Sequence, residues 1–338
     1  MNSRLLLIFA LAWVTAVEAR AQPSIPTYGT ELEGFDYPYP VQRFSLTSQG
    51  EQLSMAYMDI QPERPNGRTA VLLHGKNFCG ATWEATIATL RGAGYRVIVP
   101  DQIGFCKSTK PAHYQYSFHQ LAENTHALLA ARGIERATVI GHSMGGMLAV
   151  RYALMYPGNV DRLALVNPIG LEDWKAEGVP FRSVDAWYQN ELKTTFDSIK
   201  KYQLDTYYVG QWKPEYDRWV LMQAGLYAGA GRDRVAWNAA LTYDMIFTQP
   251  VIHELDRVKV PTVLLIGERD RTALGKATAP PDVAQRLGHY EVLGRRAAQL
   301  IPRATLVSFA DLGHAPQMQA PDRFHAALLA ELAKPLGP

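Results

Sequence analysis

The sequence has few of the features that mark several common protein classes. Its only two cysteines, Cys79 and Cys106, are too few for a disulfide scaffold and lack the spacing of metal ligands. The net charge is +2, with lysine and arginine scattered rather than clustered, so nucleic acid and anionic membranes are not expected partners. There is no internal repeat, Walker loop or H-E-x-x-H motif, and residues 229–234 lack the third glycine of a dinucleotide site. We therefore expect a protein that binds a small molecule without a metal or cofactor.

Long apolar runs are absent too, apart from one at the N-terminus. Arg4 precedes a nearly continuous apolar run over residues 5–17, and Ala19-Arg20-Ala21 fits the small-x-small pattern of a cleavage site. The run is too short to span a bilayer comfortably. We therefore predict a signal peptide over residues 1–21, cleaved after Ala21, and a periplasmic or secreted protein without a membrane span after cleavage. A retained membrane anchor is the alternative.

Beyond this segment, short apolar runs alternate with helical patterns. After an exposed lead-in over residues 22–40, two antiparallel strands are expected at 41–48 and 52–60. A buried strand is then expected at 69–75, and further strands at 95–101, 137–141, 163–167, 262–267 and 304–309, with helices between them and a last helix over about 321–334. This alternation predicts an α/β fold with a mostly parallel central sheet flanked by helices.

The alternation is interrupted between residues 168 and 256. This segment has helical patterns, is rich in tryptophan and tyrosine, and is too long for a simple connection between adjacent strands. We predict a helical cap over 169–256, inserted after the sixth strand, which divides the core into 22–168 and 257–338. More than half of the aromatic residues are expected to form the core of the cap. The others would face a cleft and favour apolar substrate groups.

The segment Gly141-His142-Ser143-Met144-Gly145 matches the G-x-S-x-G nucleophile elbow, directly after a buried strand and directly before a helix. The glycines permit the close backbone approaches that a sharp strand-to-helix turn requires. The amide of Met144 lies at the helix N-terminus, where it can stabilise developing negative charge. Ser143 is therefore the candidate nucleophile, and a simple turn serine is the alternative.

A serine nucleophile needs a base and an acid that orients the base. His314 lies in a loop after the last strand and is the candidate base. Asp270 follows the preceding strand, so it should emerge at the same edge of the sheet, with Glu268 as its nearest rival. The chain order Ser, Asp, His is typical of this elbow motif. The remaining helix and loop histidines are interpreted as surface residues: His113, His119, His126 and His325.

A second oxyanion donor is expected from the loop after the third strand, LLHGKNFCGATWE. His74 and Gly75 end that strand, and His74 is expected to anchor the loop. The backbone N–H of Lys76 comes next and is the predicted partner of the Met144 amide, with Asn77 as a close alternative. The side chain of Lys76 would then be free to point into the cleft.

Together, the segments LLHGKNF, YRVIVPDQIGFCKSTKP, VIGHSMGG, LALVNPIG, LLIGERD and DLGHAPQMQAP resemble the serine α/β-hydrolases that carry a helical cap. The resemblance is to the branch with small esterases, prolyl aminopeptidases, carbon–carbon bond hydrolases and cofactor-free haloperoxidases. It implies the α/β-hydrolase fold and a Ser143–His314–Asp270 triad. Members that open epoxides or cleave carbon–halogen bonds have an aspartate where this chain has Ser143, which argues against both reactions.

The two cysteines depart from the pattern of these proteins, in which glycine is common at the position of Cys106. Cys79 lies in the predicted oxyanion loop, and the two loops follow neighbouring strands and open on the same face of the sheet. We therefore predict a possible disulfide that braces the rim of the active site. Two separate buried thiols are the alternative.

These observations favour an exported carboxylic-ester hydrolase that works through an acyl-enzyme on a small, largely apolar ester. A carbon–carbon bond hydrolase or an acyltransferase would use the same triad. A prolyl-type aminopeptidase would also need convergent acids in the cap, where candidates include Glu172, Asp173, Glu177 and Asp185. A ligand-binding protein on an inactive hydrolase scaffold is the alternative from a different class.

Overall fold

A computed structural model describes residues 24–336, and the predicted signal peptide lies outside the described residues. The strands are β1 Val41–Ser48, β2 Glu51–Ile60, β3 Thr69–Leu73, β4 Arg96–Pro100, β5 Ala137–His142, β6 Val160–Val166, β7 Thr262–Gly267 and β8 Ala304–Phe309. They form one sheet in the order β1-β2-β4-β3-β5-β6-β7-β8. β2 pairs antiparallel with β1 and β4, and all other pairs are parallel. This arrangement confirms the predicted α/β fold with a mostly parallel sheet.

Eleven helices accompany the sheet in the described part of the chain. They are α1 Glu84–Gly92, α2 Phe118–Ala131, α3 Met144–Met155, α4 Val184–Glu191, α5 Phe196–Tyr202, α6 Asp217–Ala228, α7 Arg232–Thr248, α8 Pro281–Arg286, α9 Tyr290–Leu300, α10 Pro316–Gln319 and α11 Pro321–Ala333. Among residues 24–336, none of the helices combines the length and the apolar character that crossing a membrane requires.

The central strands are buried on both faces because helices cover the sheet on each side. In β3, Val71 and Leu73 belong to the buried cluster that also contains residues of α2 and α3. The alternating residues Ala70 and Leu72 pack instead with residues of α1 and α11. Side chains of a strand point alternately to its two faces, so a strand covered on both sides reads as a continuous apolar run. This is the reason that the sequence pattern located these strands.

The segment between β6 and β7 carries α4, α5, α6 and α7, at the position where the sequence predicts a cap. Its aromatic side chains pack on one another. The rings of Tyr208 and Tyr216 stack at a centroid distance of 3.8 Å, and those of Trp187 and Tyr243 stack at 4.6 Å. Part of this aromatic content therefore stabilises the segment itself, as expected.

The described part of the lead-in, residues 24–40, has buried as well as exposed positions, so the prediction of an exposed lead-in was wrong at the buried ones. Leu32 and Phe35 are buried. The backbone N–H of Tyr28 donates to the carbonyl of Gly225 in α6 at 3.0 Å. The lead-in therefore connects the core to the cap segment. Its isolated apolar residues show no periodicity, and for this reason the sequence pattern did not reveal their burial.

The side chain of His325 is also buried, which corrects its interpretation as a surface residue. It is 7% exposed and lies between α11 and α1, where Nε2 is 2.9 Å from Oγ1 of Thr86. Burial lowers the pKa of His325 from its ordinary value of 6.5 to about 4. His325 therefore stays neutral near pH 7 and belongs to the helix–helix packing.

Cys79 and Cys106 form a disulfide, with a Cα–Cα distance of 5.9 Å. The bond joins the loop after β3 to the loop after β4. These strands are parallel neighbours, so their carboxyl ends lie side by side at one edge of the sheet. The structure thus contains the bridge rather than two separate thiols.

Candidate active site

Ser143 occupies a sharp turn between β5 and α3. Its backbone has φ of 57° and ψ of −121°, a conformation that residues with a side chain rarely adopt. The turn is tightly packed: a Cβ on Gly141 would lie 2.1 Å from the carbonyl oxygen of Gly145, and a Cβ on Gly145 would lie 2.1 Å from that of Leu73. Glycine is therefore required at both flanking positions, and this is the geometry that the elbow motif predicts.

His314 and Asp270 lie together at the same edge of the sheet. Nδ1 of His314 is 2.6 Å from Oδ2 of Asp270, and both side chains are fully buried. The other carboxylate oxygen, Oδ1, accepts the backbone N–H of Thr272 at 2.8 Å. Glu268, the rival acid, instead lies 3.5 Å from Arg295 near the surface. The structure therefore brings Asp270 to the histidine and leaves Glu268 outside the site.

The second ring nitrogen of His314 is the atom that a general base would use. Since Nδ1 donates to Asp270, Nε2 carries the lone pair in the neutral ring. Nε2 is buried and has no hydrogen-bond partner among residues 24–336. The hydrogen bond from serine to histidine often tightens only when a substrate binds. His314 is thus oriented by the acid and has its basic nitrogen unpaired.

His142 ties the elbow to the loop of His314, a role that sequence reasoning did not identify. Its Nε2 donates to the carbonyl oxygen of His314 at 2.8 Å, and the two ring centroids lie 4.9 Å apart. Burial, and then the neighbouring His314, lower the pKa of His142 well below its usual range. A neutral His142, the neighbour of Ser143 in the chain, therefore links the elbow to the loop of His314. The motif leaves this position variable, so it gave no signal.

Asn167 is a second residue that sequence reasoning missed. It directly follows β6, and its Nδ2 donates to Oδ2 of Asp270 at 2.9 Å. Its Oδ1 accepts the backbone N–H of Gly267 at 2.8 Å. The sequence did contain a signal for this role, a polar residue directly after the apolar run LALV. The carboxyl ends of neighbouring parallel strands meet at one edge of a sheet, so a residue at this position lies near the loop of Asp270.

The loop after β3 lies against the elbow, as an oxyanion loop would. A Cβ on Gly75 would approach Cβ of Ser143 to 3.0 Å. His74 anchors this loop: its Nε2 accepts the backbone N–H of Gln102 at 3.0 Å. Within residues 24–336, no acceptor takes the backbone N–H of Lys76, Asn77 or Met144. The predicted donors Lys76 and Met144 are therefore available to an anion beside Ser143, and Asn77 stays the alternative to Lys76.

A cleft of about 340 Å³ opens at Ser143. Aromatic side chains of the segment between β6 and β7 line it: Trp187, Tyr202, Tyr207 and Tyr243. The Tyr207 ring lies 4.8 Å from the His314 ring, and its hydroxyl accepts Nδ2 of Asn77 at 2.9 Å. Burial raises the pKa of Tyr207 and of Tyr243 well above the usual range. These phenols are therefore neutral and offer an apolar wall with a few polar tips.

The acids of the cap segment do not converge on this cleft, and none of the four candidates lines it. Glu172 accepts Nε1 of Trp174 at 3.1 Å and the backbone N–H of Gly288 at 3.0 Å, and burial raises its pKa. Asp173 lies 2.9 Å from Nε2 of His253. These carboxylates therefore have structural neighbours of their own.

One grouping of potential metal ligands occurs in the described part of the chain, formed by Cys79, Asp101 and Cys106. Both of its sulfurs are taken by the disulfide, so neither can supply the thiolate that a metal would bind. The carboxylate of Asp101 accepts the backbone N–H of Gly80 at 2.7 Å and the hydroxyl of Tyr37 at 2.6 Å. The grouping therefore fits a structural role.

The α/β hydrolase fold family matches residues 71–321 of this chain, and the chain belongs to that family. It is similar to a probable hydrolytic enzyme from Pseudomonas aeruginosa PAO1 of known structure: 66% identity, a TM-score of 0.91, and coverage of 92% of this chain and 99% of that one. It is 28% identical to Lipase 1 of Psychrobacter immobilis over 285 residues, 80% of each chain. It is also 28% identical to Lipase 3 of Moraxella sp. (strain TA144) over 263 residues, 75% of this chain and 74% of that one. The protein is a hydrolase of the α/β-hydrolase family.

Proposed function

We propose that the protein is a serine carboxylic-ester hydrolase that acts through an acyl-enzyme. One observation carries this proposal: the buried Asp270–His314 pair, 2.6 Å apart, lies at the edge of the sheet where Ser143 occupies a strained elbow. A nucleophile, a base and an orienting acid are the three groups that acyl transfer by serine requires.

In the proposed reaction, Oγ of Ser143 attacks the ester carbonyl while Nε2 of His314 takes its proton. The tetrahedral oxyanion accepts hydrogen bonds from the amides of Met144 and Lys76. His314 then gives the proton to the departing alcohol, which leaves an acyl group on Ser143. Water, deprotonated by His314, attacks the acyl carbon and releases the acid and the free serine. Asp270 accepts the hydrogen bond from Nδ1 of His314 and holds the imidazole in the required tautomer.

An ester with a small, largely apolar body fits this cleft best. Its volume of about 340 Å³ limits the size of the substrate, and its aromatic wall favours apolar groups. An aminopeptidase needs acids that hold a free amine, and the four candidate acids of the cap lie outside the cleft. The relatives named as lipases also favour ester hydrolysis.

The proposed site of action is the periplasm or the extracellular space. This rests on the N-terminal pattern of residues 1–21, and the disulfide supports it because such bonds persist in oxidising compartments. Fractionation of cells that express the full chain, with N-terminal sequencing of the product, tests it. We expect a chain that begins at Gln22, and a cytoplasmic product with residues 1–21 intact would contradict the proposal.

A panel of p-nitrophenyl esters of increasing acyl length tests the activity, together with labelling by a serine-reactive phosphonate. We expect turnover of short esters and one label on Ser143. Ser143→Ala should lose the label and lower kcat by about 10⁵- to 10⁶-fold. A wild-type protein that is folded but neither hydrolyses any ester nor takes the label would disprove the proposal.

A further inference from the structure

The charged residues that line the cleft at Ser143 are all cationic. They are Lys76, Arg182 and Lys276, and among residues 24–336 no carboxylate belongs to the cleft wall. A purely apolar substrate would gain nothing from these cations, whereas partial removal of a charge from water is unfavourable unless something compensates for it. The charge of the wall therefore carries information about the substrate.

Lys76 is the cation nearest to the proposed reaction. Its backbone follows Gly75, which touches the elbow at Ser143. Its half-buried side chain forms no hydrogen bond or salt bridge with any residue in 24–336. Instead, Nζ lies 3.5 Å from the ring centroid of Tyr243. The N–H donors of this ammonium group that do not face the ring are therefore available to a ligand in the cleft.

Aromatic rings of the cleft wall contact Arg182 as well as Lys76. Tyr243, under Lys76, stacks with Trp187 at 4.6 Å, and the guanidinium of Arg182 lies 4.6 Å from the Trp187 ring. Arg182 makes one hydrogen bond, to the carbonyl of Ala186 at 3.1 Å, and no salt bridge within the described residues. The wall thus presents flat apolar surface with an unpaired cation beside each of its two rings.

Within residues 24–336, no acid forms a salt bridge with Lys76 or Arg182, whereas Lys276 feels the charges of Glu172 and Asp270 and its Nζ donates to the carbonyl of Leu287 at 2.8 Å. Asp270 is engaged by His314. Glu191 lines an adjoining cavity, and its carboxylate accepts the hydroxyl of Tyr227. Burial lowers the pKa of Lys76, and the charge of Glu191 opposes this effect and favours the protonated lysine. Glu191 therefore helps to keep Lys76 cationic without occupying its donors.

We propose that the enzyme selects esters that carry a carboxylate on an otherwise apolar acyl or alcohol group, and that the ammonium group of Lys76 binds this carboxylate. Arg182 and Lys276 add positive potential that attracts the anion to the cleft. The inference rests on the proposed ester hydrolysis and refines its substrate class. It gives the side chain of Lys76 a role separate from that of its backbone amide.

Two matched pairs of esters test the inference on the full-length enzyme. The acyl-side pair is mono-p-nitrophenyl adipate against p-nitrophenyl hexanoate. The alcohol-side pair is 4-carboxyphenyl butanoate against its neutral methyl ester, 4-(methoxycarbonyl)phenyl butanoate. For each pair, the ratio of kcat/KM for the anionic ester to that for the neutral ester is measured. General damage to a variant cancels in this ratio.

We expect the wild-type ratio to exceed about tenfold in one pair, as for one charge-assisted hydrogen bond, and to fall as salt is added. Lys76→Met should lower the ratio by about tenfold, and Lys76→Arg should keep most of it. Lys259→Met is the control, since Lys259 precedes β7 and so lies at the opposite edge of the sheet. Its ratio should equal that of the wild type.

The outcomes separate the inference from the proposed function. If the wild type hydrolyses neutral esters but shows no preference for either anionic ester, the inference is wrong and ester hydrolysis stands. A preference that Lys76→Met leaves unchanged also overturns it. If no ester is hydrolysed and the phosphonate does not label Ser143, both fail. The wild-type ratio and its salt dependence decide whether the enzyme prefers anionic esters, and the Lys76 variants decide whether that preference comes from Lys76.

Discussion

Asn167 and Asp270 are joined by a hydrogen bond of 2.9 Å from Nδ2 to Oδ2, the oxygen that also lies 2.6 Å from Nδ1 of His314. Asn167 also donates to the carbonyl of Gly267 at 3.1 Å and accepts its N–H at 2.8 Å. The residue after β6 therefore fixes the end of β7, from which the loop of Asp270 departs. The acid of the proposed triad is held in place by the neighbouring strand as well as by its own loop.

This relationship predicts that Asn167→Asp alters the pH dependence of the reaction. The substitution preserves shape but places a second carboxylate beside Asp270, and two such groups cannot both ionise readily. We expect kcat/KM on p-nitrophenyl butanoate to fall by about 10- to 100-fold, and the acid limb of the pH–rate profile to change position. Asn159→Asp is the matched control, because Asn159 directly precedes β6, away from Asp270, and its Nδ2 likewise donates to an acceptor, the carbonyl of Glu135. A loss of rate with an unchanged profile would indicate a structural role alone.

Reduction of the disulfide is predicted to lower stability. Cys79 and Cys106 are 27 residues apart, and closing a loop of that length removes chain entropy worth about 3–4 kcal/mol from the unfolded state. We expect urea unfolding of the Cys79→Ser/Cys106→Ser variant to show a loss of this order. Alkylation of the unreduced, denatured wild type, followed by mass spectrometry, checks the bond itself. A mass increase without prior reduction would show that the thiols are free.

The buried His325 predicts a loss of stability in mild acid. Its pKa is lowered from 6.5 to about 4 in the folded protein by burial, with Asp322 opposing. The unfolded chain therefore binds the proton more readily than the folded protein does. The stabilisation that neutral His325 gives the folded protein is fully present above pH 6.5 and is lost as the pH falls towards 4. The resulting decrease in the free energy of unfolding is at most roughly 3 kcal/mol.

Urea unfolding of the wild type and of His325→Gln between pH 4 and 7 measures this contribution, because glutamine can bond to Thr86 without titrating. We expect a shallower pH dependence for the variant. His113→Gln, at an exposed position, should follow the wild type. Identical slopes for all three proteins would refute this role of His325.

The contact between the lead-in and the cap segment predicts an unequal response to two glycine substitutions. A Cβ on Gly229 would lie 2.0 Å from the carbonyl oxygen of Tyr28, whereas a Cβ on Gly158 would meet nothing within 4 Å. We expect Gly229→Ala to lower the free energy of unfolding by about 1–3 kcal/mol. Gly158→Ala should change it by less than about 0.5 kcal/mol. Equal effects would mean that the lead-in is not firmly packed.

The sequence alone located most of the sheet and the three candidate catalytic side chains. β7 and β8 have the predicted bounds 262–267 and 304–309. β8 lies at the edge of the sheet and is only partly buried, whereas β7 is buried along its whole length and reads as an unbroken apolar run. Ser143, Asp270 and His314 could be placed because each follows a predicted strand, and parallel strands bring their carboxyl ends to one edge of the sheet. Local pattern and strand direction were sufficient for these predictions.

Only the tertiary structure showed which side chains hold and surround these groups. His142 donates to the backbone of His314, 172 residues away, and Tyr28 bonds to Gly225. Such contacts depend on the distance between loops, which periodicity does not encode. The positive charge of the cleft could not be predicted for the same reason, because Lys76, Arg182 and Lys276 come from three separate segments. Their cations come together only when the chain folds, and in the described part of the chain the carboxylates lie outside that wall.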